Sequence, residues 1–326
     1  MAVKKVTKSP SYQVTGLEKF GRIGVLMGGT STEREISLKS GKAVYDILRQ
    51  SGLQTVAIDI RTDDIEENTC LIKSHKINCA FLALHGSFGE DGQVQELLEG
   101  MSISYTGSGP LASRLAMDKI ASRRIFESSG LRVPKYVVVK KSSYGKNCAL
   151  SVRFSLPWVV KPATHGSSIG LSIIDKEADL KKAVDLVFGF DETVIIEEYI
   201  EGREVTAGIL DEDCLPVIEI VPKKRFFDYE AKYQAGMTEY IVPAKLKAGI
   251  VRIVQSAALS AHKLLGCHGC SRVDMILGRD NLPYVLEVNT IPGLTQTSLL
   301  PKAAKGMGIE FGELCLRLIE LAHEKK

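Results

Sequence analysis

The sequence predicts a mixed α/β chain, its first unit a doubly wound parallel sheet and its later units α+β. Three observations carry this expectation. At 326 residues the chain exceeds one ordinary domain, and two or three are expected. Strands alternate with helices through the first third of the chain, which implies parallel pairing. Near the C-terminus, residues 271–277 and 284–289 alternate apolar and polar positions about a turn at Gly278-Arg279-Asp280-Asn281, the pattern of a β-hairpin.

Residues 22–27 form an apolar strand ending on Gly28-Gly29, and a helix is expected over 32–50, closed by Gly52. Residues 55–60 and 79–84 read as strands, 92–99 as a short helix, and the unit closes near 103–107. Residues 110–129 read as one helix with Leu115, Ile120 and Phe126 facing inward. Strands over 136–139, 158–161, 171–174 and 194–199, with a helix over 176–188, make a second unit. The third holds strands near 204–210 and 216–221, a polar loop over 223–240, a helix over 247–265, the hairpin, and helices over 298–307 and 310–324. A loop that long is uncommon in a compact domain and is often functional. The expected division is a mobile tail 1–20, an N-terminal unit 21–106, a central unit 107–201 and a C-terminal unit 202–326.

Hydrophobic content of 44% and charged content of 25% suit a globular protein with real cores. A net charge of +3 is too slight to argue for nucleic acid or a membrane surface. No apolar run reaches the roughly 18 residues of a membrane helix, and residues 1–13 lack the apolar stretch of a signal peptide. Seven scattered cysteines, an odd number, point to a reducing compartment. Cys267-His268-Gly269-Cys270 looks like half a zinc site. No second Cys or His pair stands at suitable spacing, so a helix-to-strand turn is expected there.

In the hairpin, a turn symmetric about Asp280 and Asn281 sets Asp274 opposite Glu287 and Arg272 opposite Asn289, all on one face. Val273, Met275, Leu286 and Val288 then make the apolar face. Two facing carboxylates repel and persist only if something neutralises them. Oxygen donors from Asp, Glu and Asn suit Mg²⁺, which binds through one or two carboxylates plus substrate phosphates. An exposed hairpin with an Arg–Asp pair is the alternative.

Other stretches have chemical potential of their own. The strand ending on Lys161-Pro162 leads through His165-Gly166-Ser167-Ser168-Ile169-Gly170 into another strand, so this is no P-loop. Its backbone N–H groups can close over phosphates, with Lys161 and Lys119 as ammonium partners; a plain turn with solvated lysines is the alternative. Alternation sends Glu197 and Glu198 to opposite faces, one of them towards a cleft, and Glu204 can accept from ribose hydroxyls. Thr30 with Glu33 is a capping-box pattern, sufficient to explain Glu33. Capture of a substrate ammonium at the sheet's C-terminal edge is the other reading. His85, at a second strand end before Gly86, is a site candidate.

Nine motifs follow one another in order from about residue 22 to the C-terminus. They are Gly28-Gly29-Thr30-Ser31-Thr32-Glu33-Arg34-Glu35-Ile36-Ser37; Leu84-His85-Gly86 with Gly89-Glu90-Asp91-Gly92; Tyr105-Thr106-Gly107-Ser108-Gly109; Met117-Asp118-Lys119; and Lys161-Pro162 with Gly166-Ser167-Ser168. Tyr229-Glu230-Ala231-Lys232-Tyr233, Arg272-Val273-Asp274, Leu286-Glu287-Val288-Asn289-Thr290-Ile291-Pro292-Gly293 and Ser298-Leu299-Leu300-Pro301 complete the set. Together they resemble the D-alanine–D-alanine ligases of the ATP-grasp superfamily.

The resemblance implies an ATP-grasp fold with an N-terminal Rossmann-like domain, and ligation of two D-alanines through D-alanyl phosphate with release of ADP and phosphate. The product would feed peptidoglycan precursor synthesis in the cytoplasm, from a homodimer that engages no nucleic acid and no membrane. Asp274, Glu287 and Asn289 resemble ligands of two Mg²⁺ (or Mn²⁺) ions. Lys119, Lys161, Glu197, Glu198, Ile200, Glu204, Phe226, Lys232 and Leu286 resemble the ATP pocket. Glu33 resembles the residue that takes the first substrate's ammonium, with His85 beside that substrate and Ser167 and Tyr233 linking Glu33 to the lid 223–240. Arg272 and the N–H of Gly293 resemble an oxyanion site, and Ser298 and Leu299 the binders of the second carboxylate. Lys232-Tyr233 favours D-alanine over D-lactate as second substrate. His165 stands where many relatives carry an acidic residue.

Overall fold

The structure, a computed structural model, describes residues 16–144, 152–166, 170–223 and 237–324. The first sheet is parallel, in the order β2 (Thr55–Ile60), β1 (Ile23–Gly28), β3 (Cys79–Leu82), β4 (Ser104–Tyr105). Period-two alternation sends Ile23, Val25, Cys79 and Phe81 to one core and Leu26, Ile58, Ala80 and Leu82 to the other. Helix α1 (Arg34–Gln50) covers the first face, and α2 (Ile65–Ser74) and α3 (Gln93–Gly100) cover the second. Helix α1 lies so close to β1 that a Cβ on Gly41 would come 2.4 Å from the Met27 Cβ. Helix α2 begins where Asp64 accepts from the Glu67 N–H at 2.8 Å, a start signal overlooked in the sequence reading.

Two features differ from expectation here. The segment Leu17–Phe20 is a turn of 3₁₀-helix, and the Phe20 ring is buried in the core. The fold therefore begins before the expected end of the tail at residue 20. Residues 110–129 form two helices, α4 (Pro110–Met117) and α5 (Lys119–Ser128). Asp118 breaks them apart with an extended backbone, and its carboxylate caps α5 by accepting from Ile120 (2.8 Å) and Ala121 (3.0 Å). The break puts Lys119 on the first turn of α5. Both helices pack on the third sheet, through Ala116 and Phe126.

The second sheet, antiparallel, runs β5 (Tyr136–Lys140), β8 (Thr193–Glu198), β6 (Trp158–Pro162), β7 (Ser172–Ile174). Val139, Trp158, Val160, Val194 and Ile196 pack under α6 (Leu180–Val187). Val159, Lys161, Ile173 and Glu197 line a cleft on the opposite face.

The third sheet runs β12 (Thr238–Ile241), β11 (Ile218–Pro222), β9 (Gly202–Leu210), β13 (Cys270–Gly278), β14 (Pro283–Asn289), with β10 (Asp213–Cys214) beside β9. Strand β12 shows that the expected loop 223–240 ends earlier than its length suggested; residues 224–236 lie outside the described residues. Val205, Ala207, Val273, Met275, Val285 and Val288 pack under α7 (Ala248–Leu264). The intervening Glu204, Asp274, Ile276 and Glu287 line the same cleft. After α8 (Leu299–Gly306), helix α9 (Phe311–Glu324) returns to the first sheet, where Leu314, Leu318 and Ile319 join the core of Phe20 and Val25.

Phe20→Ala is expected to lower the unfolding free energy by about 3 kcal/mol. Urea denaturation that shows a loss under about 0.5 kcal/mol would place Phe20 in a dispensable tail after all.

Candidate active site

The hairpin pairs Arg272 with Asn289 and Asp274 with Glu287, as the alternation predicts. Beyond this point the register slips by one: Met275 pairs with Val285, Ile276 with Tyr284, and Leu277 with Pro283. The slip is a β-bulge that leaves Leu286 as the extra residue of β14. The expected apolar face is corrected accordingly: Val285, 0% exposed, takes the core position, while Leu286 turns to the cleft. The turn closes one residue earlier than a pair symmetric about Asp280 and Asn281 would require, with the Gly278 N–H donating to the Leu282 carbonyl.

Asp274 is held on every side. Arg272 grips it in bidentate fashion, Nε to Oδ1 at 2.9 Å and Nη2 to Oδ2 at 2.7 Å. Thr206 on β9 donates to Oδ1 at 2.6 Å, and Asn289 Nδ2 to Oδ2 at 3.1 Å. The Arg–Asp pair of the alternative, exposed hairpin is thus present, but its side chains are only 15% and 13% exposed. Glu287 lies 3.7 Å from the Lys119 ammonium, which also donates to the His165 carbonyl at 2.7 Å. Like charges on facing strand positions, roughly 5 Å apart at their Cβ atoms, repel by about 3 kcal/mol at an effective dielectric near 20. Arg272 and Lys119 offset that repulsion.

A cavity of about 420 Å³ opens between the second and third sheets. Its walls bring together Lys119, Lys161, Glu197, Glu198, Ile200, Glu204, Leu286, Asp274 and Glu287 from stretches far apart in sequence. Glu197 is 3% exposed, with one oxygen 2.8 Å from Lys161 and the other paired with Arg123 from α5. Burial alone would push this carboxyl up, but Arg123 and Lys161 hold it below the ordinary value. Burial drops the Lys161 ammonium to about 8.

A second cavity, about 470 Å³, shares Glu287 with the first and lies at the C-terminal edge of the first sheet. Glu33, His85, Arg272, Asn289, Gly293, Ser298 and Leu299 line it. The capping box at Thr30 does not form. Helix α1 starts after Glu33 with no side-chain cap bond, and the Thr30 hydroxyl donates to Asp63 at 2.6 Å instead. Capping therefore does not explain Glu33. Gly86 has φ +75, and a Cβ there would come within 2.8 Å of Ser31 and 3.3 Å of the Glu33 carboxylate. His85 is buried, 3.2 Å from the Ser40 hydroxyl and bonded to the Ile291 backbone; burial lowers its pKa. Ser298 sits at the N-terminus of α8, its hydroxyl 2.8 Å from that of Thr295. Leu299 is largely a core residue.

Ser167, Phe226, Lys232 and Tyr233 lie outside the described residues. Thr206, Arg123, Lys39, Tyr240 and Glu90 are site neighbours that the sequence reading gave no role. Thr206 had a signal, two residues from Glu204 on one strand face, and Arg123 stands one helical turn from Lys119. Glu90 accepts from the Gly86 N–H at 2.8 Å; burial first and the Glu33 charge second push its carboxyl up to about 8. Cys267, in the turn after α7, and Cys270, the first residue of β13, are free thiols.

Two antiparallel sheets facing across this cleft, with a parallel sheet closing one end, define an ATP-grasp architecture. The family model described as D-ala D-ala ligase C-terminus matches residues 125–320, and the one described as D-ala D-ala ligase N-terminus matches 61–108. A D-alanine–D-alanine ligase of Anaeromyxobacter dehalogenans is 47% identical over 299 residues, 92% of this chain and 96% of that protein. The D-alanine–D-alanine ligase of Bacillus anthracis complexed with ATP superposes with a TM-score of 0.80 at 35% identity, over 93% of this chain and 97% of that one. The VanG D-Ala:D-Ser ligase of Enterococcus faecalis gives 0.78 at 31% identity, over 92% and 99%. The chain belongs to the D-alanine–D-alanine ligase family.

In a Glu33→Gln variant the Glu90 carboxyl is expected to titrate at lower pH, because a neighbouring negative charge is gone. A carbon-13 NMR titration that finds Glu90 unmoved would mean that burial alone holds it up.

Proposed function

We propose that the two cavities hold the two halves of one reaction, ATP-dependent joining of two D-alanines for peptidoglycan precursor synthesis. The observation that carries this reading is Glu287, which lines both cavities and stands opposite Asp274. A phosphoryl group moving from a nucleotide in one to a carboxylate in the other would pass this wall. Family membership and the near full-length match support the ligase activity.

A carboxylate resists amine attack because it is already anionic and has no good leaving group. Attack of a D-alanine carboxylate oxygen on the γ-phosphorus releases ADP and gives D-alanyl phosphate. The second D-alanine then attacks the acyl carbon as a free amine, inorganic phosphate leaves, and the nitrogen loses its proton. In this reading Glu33 takes the first ammonium, with His85 neutral beside it, since burial lowers its pKa. Arg272 and the Gly293 N–H receive the tetrahedral oxyanion. The Ser298 hydroxyl and the N–H groups opening α8 hold the second carboxylate, where a helix N-terminus favours an anion. Lys119 and Lys161 meet nucleotide phosphates, and Glu204 and Leu286 line the remainder of that cavity.

The donor set of Asp274, Glu287 and Asn289 suits a hard cation that draws its other ligands from phosphates and water. When bound there, one or two Mg²⁺ (or Mn²⁺) ions would neutralise the phosphate charge during transfer. The division into domains near residues 106 and 201, the homodimer and the cytoplasmic location belong to this proposal on the strength of the family alone. Among the described residues no helix is long and apolar enough to cross a membrane.

ADP release with D-alanine alone, compared with D-alanine plus D-lactate or D-serine at neutral pH, tests the substrate. D-alanyl-D-alanine by mass spectrometry is the expected product, and ATP binding without D-alanine-dependent ADP release would overturn the assignment. Arg272→Ala is expected to lower turnover by roughly 10³-fold with the fold retained; activity within about threefold of wild type would remove Arg272 from the oxyanion site. Half-saturation by ATP is expected to rise as pH climbs through about 8, where Lys161 loses its charge, and Lys161→Met should flatten that dependence.

A further inference from the structure

We infer that Arg123, which reaches neither cavity, is a positioning residue for the nucleotide: it neutralises Glu197 from behind and so frees the charge of Lys161 for phosphate. The inference rests on reading the cavity between the second and third sheets as the nucleotide site. Arg123 is 0% exposed and stands on the buried face of α5, one turn beyond Lys119. Its guanidinium pairs with one oxygen of Glu197, whose other oxygen lies 2.8 Å from the Lys161 ammonium. The Tyr136 ring lies 5.3 Å from the same guanidinium, while Nε and Nη1 make no hydrogen bond among the described residues.

A buried arginine with unsatisfied nitrogens is an expensive way to stabilise a helix, and well-packed apolar side chains do it as well or better. Charge accounting gives the arrangement a purpose. Lys161 and Glu197 alone form a neutral pair, with no net attraction for a phosphate. Adding Arg123 leaves one surplus positive charge. Arg123 is sealed off from the cavity, so the surplus faces the ligand through Lys161. In a cleft of low dielectric such a charge acts strongly on an anion. At neutral pH Lys161 keeps its charge: burial first and Arg123 next lower its pKa to about 8, while Glu197 holds it up.

The test is a charge series with ADP as probe, binding followed by calorimetry in magnesium-containing buffer and folding by thermal melting. Wild type, R123K and the double variant R123M/E197Q all keep a surplus of one positive charge; R123M alone has none. R123M is expected to bind ADP about tenfold more weakly or worse, with the KM for D-alanine unchanged. R123K should stay within about threefold of wild type, and R123M/E197Q should bind ADP at least about threefold more tightly than R123M. A purely structural defect in R123M would show as a lowered melting temperature, whereas the loss of a surplus charge weakens ADP binding in a protein that still melts like wild type. The inference is overturned if folded R123M binds like wild type, or if R123M/E197Q binds ADP no more tightly than R123M. Should R123M fail to fold, R123Q and R123Q/E197Q give the same comparison. Lys161→Met separates the two levels: if it binds ADP like wild type, the nucleotide reading of the cavity fails and takes this inference with it. If it weakens binding while R123M does not, only the role of Arg123 is wrong.

Discussion

The facing carboxylates of Asp274 and Glu287 are the constraint from which the site follows. Neighbouring strands hold the two positions opposite each other for as long as the hairpin holds. The protein surrounds them with Arg272, Thr206, Asn289 and Lys119, each anchored on a different part of the fold. The bulge beside them deepens the effect. It keeps Glu287 on the cleft side and lets Val285 fill the core in place of Leu286. One inserted residue thus gives the cleft an apolar wall next to its most polar edge.

The same logic repeats on the second sheet. Period-two alternation divides each strand between core and cleft, so that two sheets with ordinary hydrophobic undersides present opposed polar faces. On the second sheet Lys161 pairs with Glu197 of the neighbouring strand, and on the third Arg272 pairs with Asp274 while Lys119 of α5 approaches Glu287. A polyanionic ligand entering such a space exchanges partners with groups that are already oriented, and little reorganisation is needed.

How much of this could be read from residues alone depends on distance along the chain. The pairing of Asp274 with Glu287 was legible because a short turn and strict alternation determine it locally. The bulge was not, since Val285 and Leu286 are both apolar and nothing nearby says which turns inward. Asp118 was legible in principle as a helix cap, but the run around it has the composition of one continuous helix. The Thr30 pattern misled because a tertiary partner, Asp63, outcompeted the local one. Arg123 was invisible: on a helix with Lys119 and Arg124 it reads as solvent-facing, and only Glu197 on another sheet explains its burial. The family resemblance named nine of the residues lining that cleft but no such supporting contact.

The return of helix α9 to the first sheet ties the two ends of the polypeptide together. The Phe20 ring meets His323 edge-on at 5.1 Å, and Leu314, Leu318 and Ile319 complete a core begun by Ile23 and Val25. During synthesis the opening sheet therefore lacks part of its covering until helix α9 has been made. Shortening the chain at its far end would expose apolar surface at its near end, and surveillance proteases would meet an unfinished amino-terminal half.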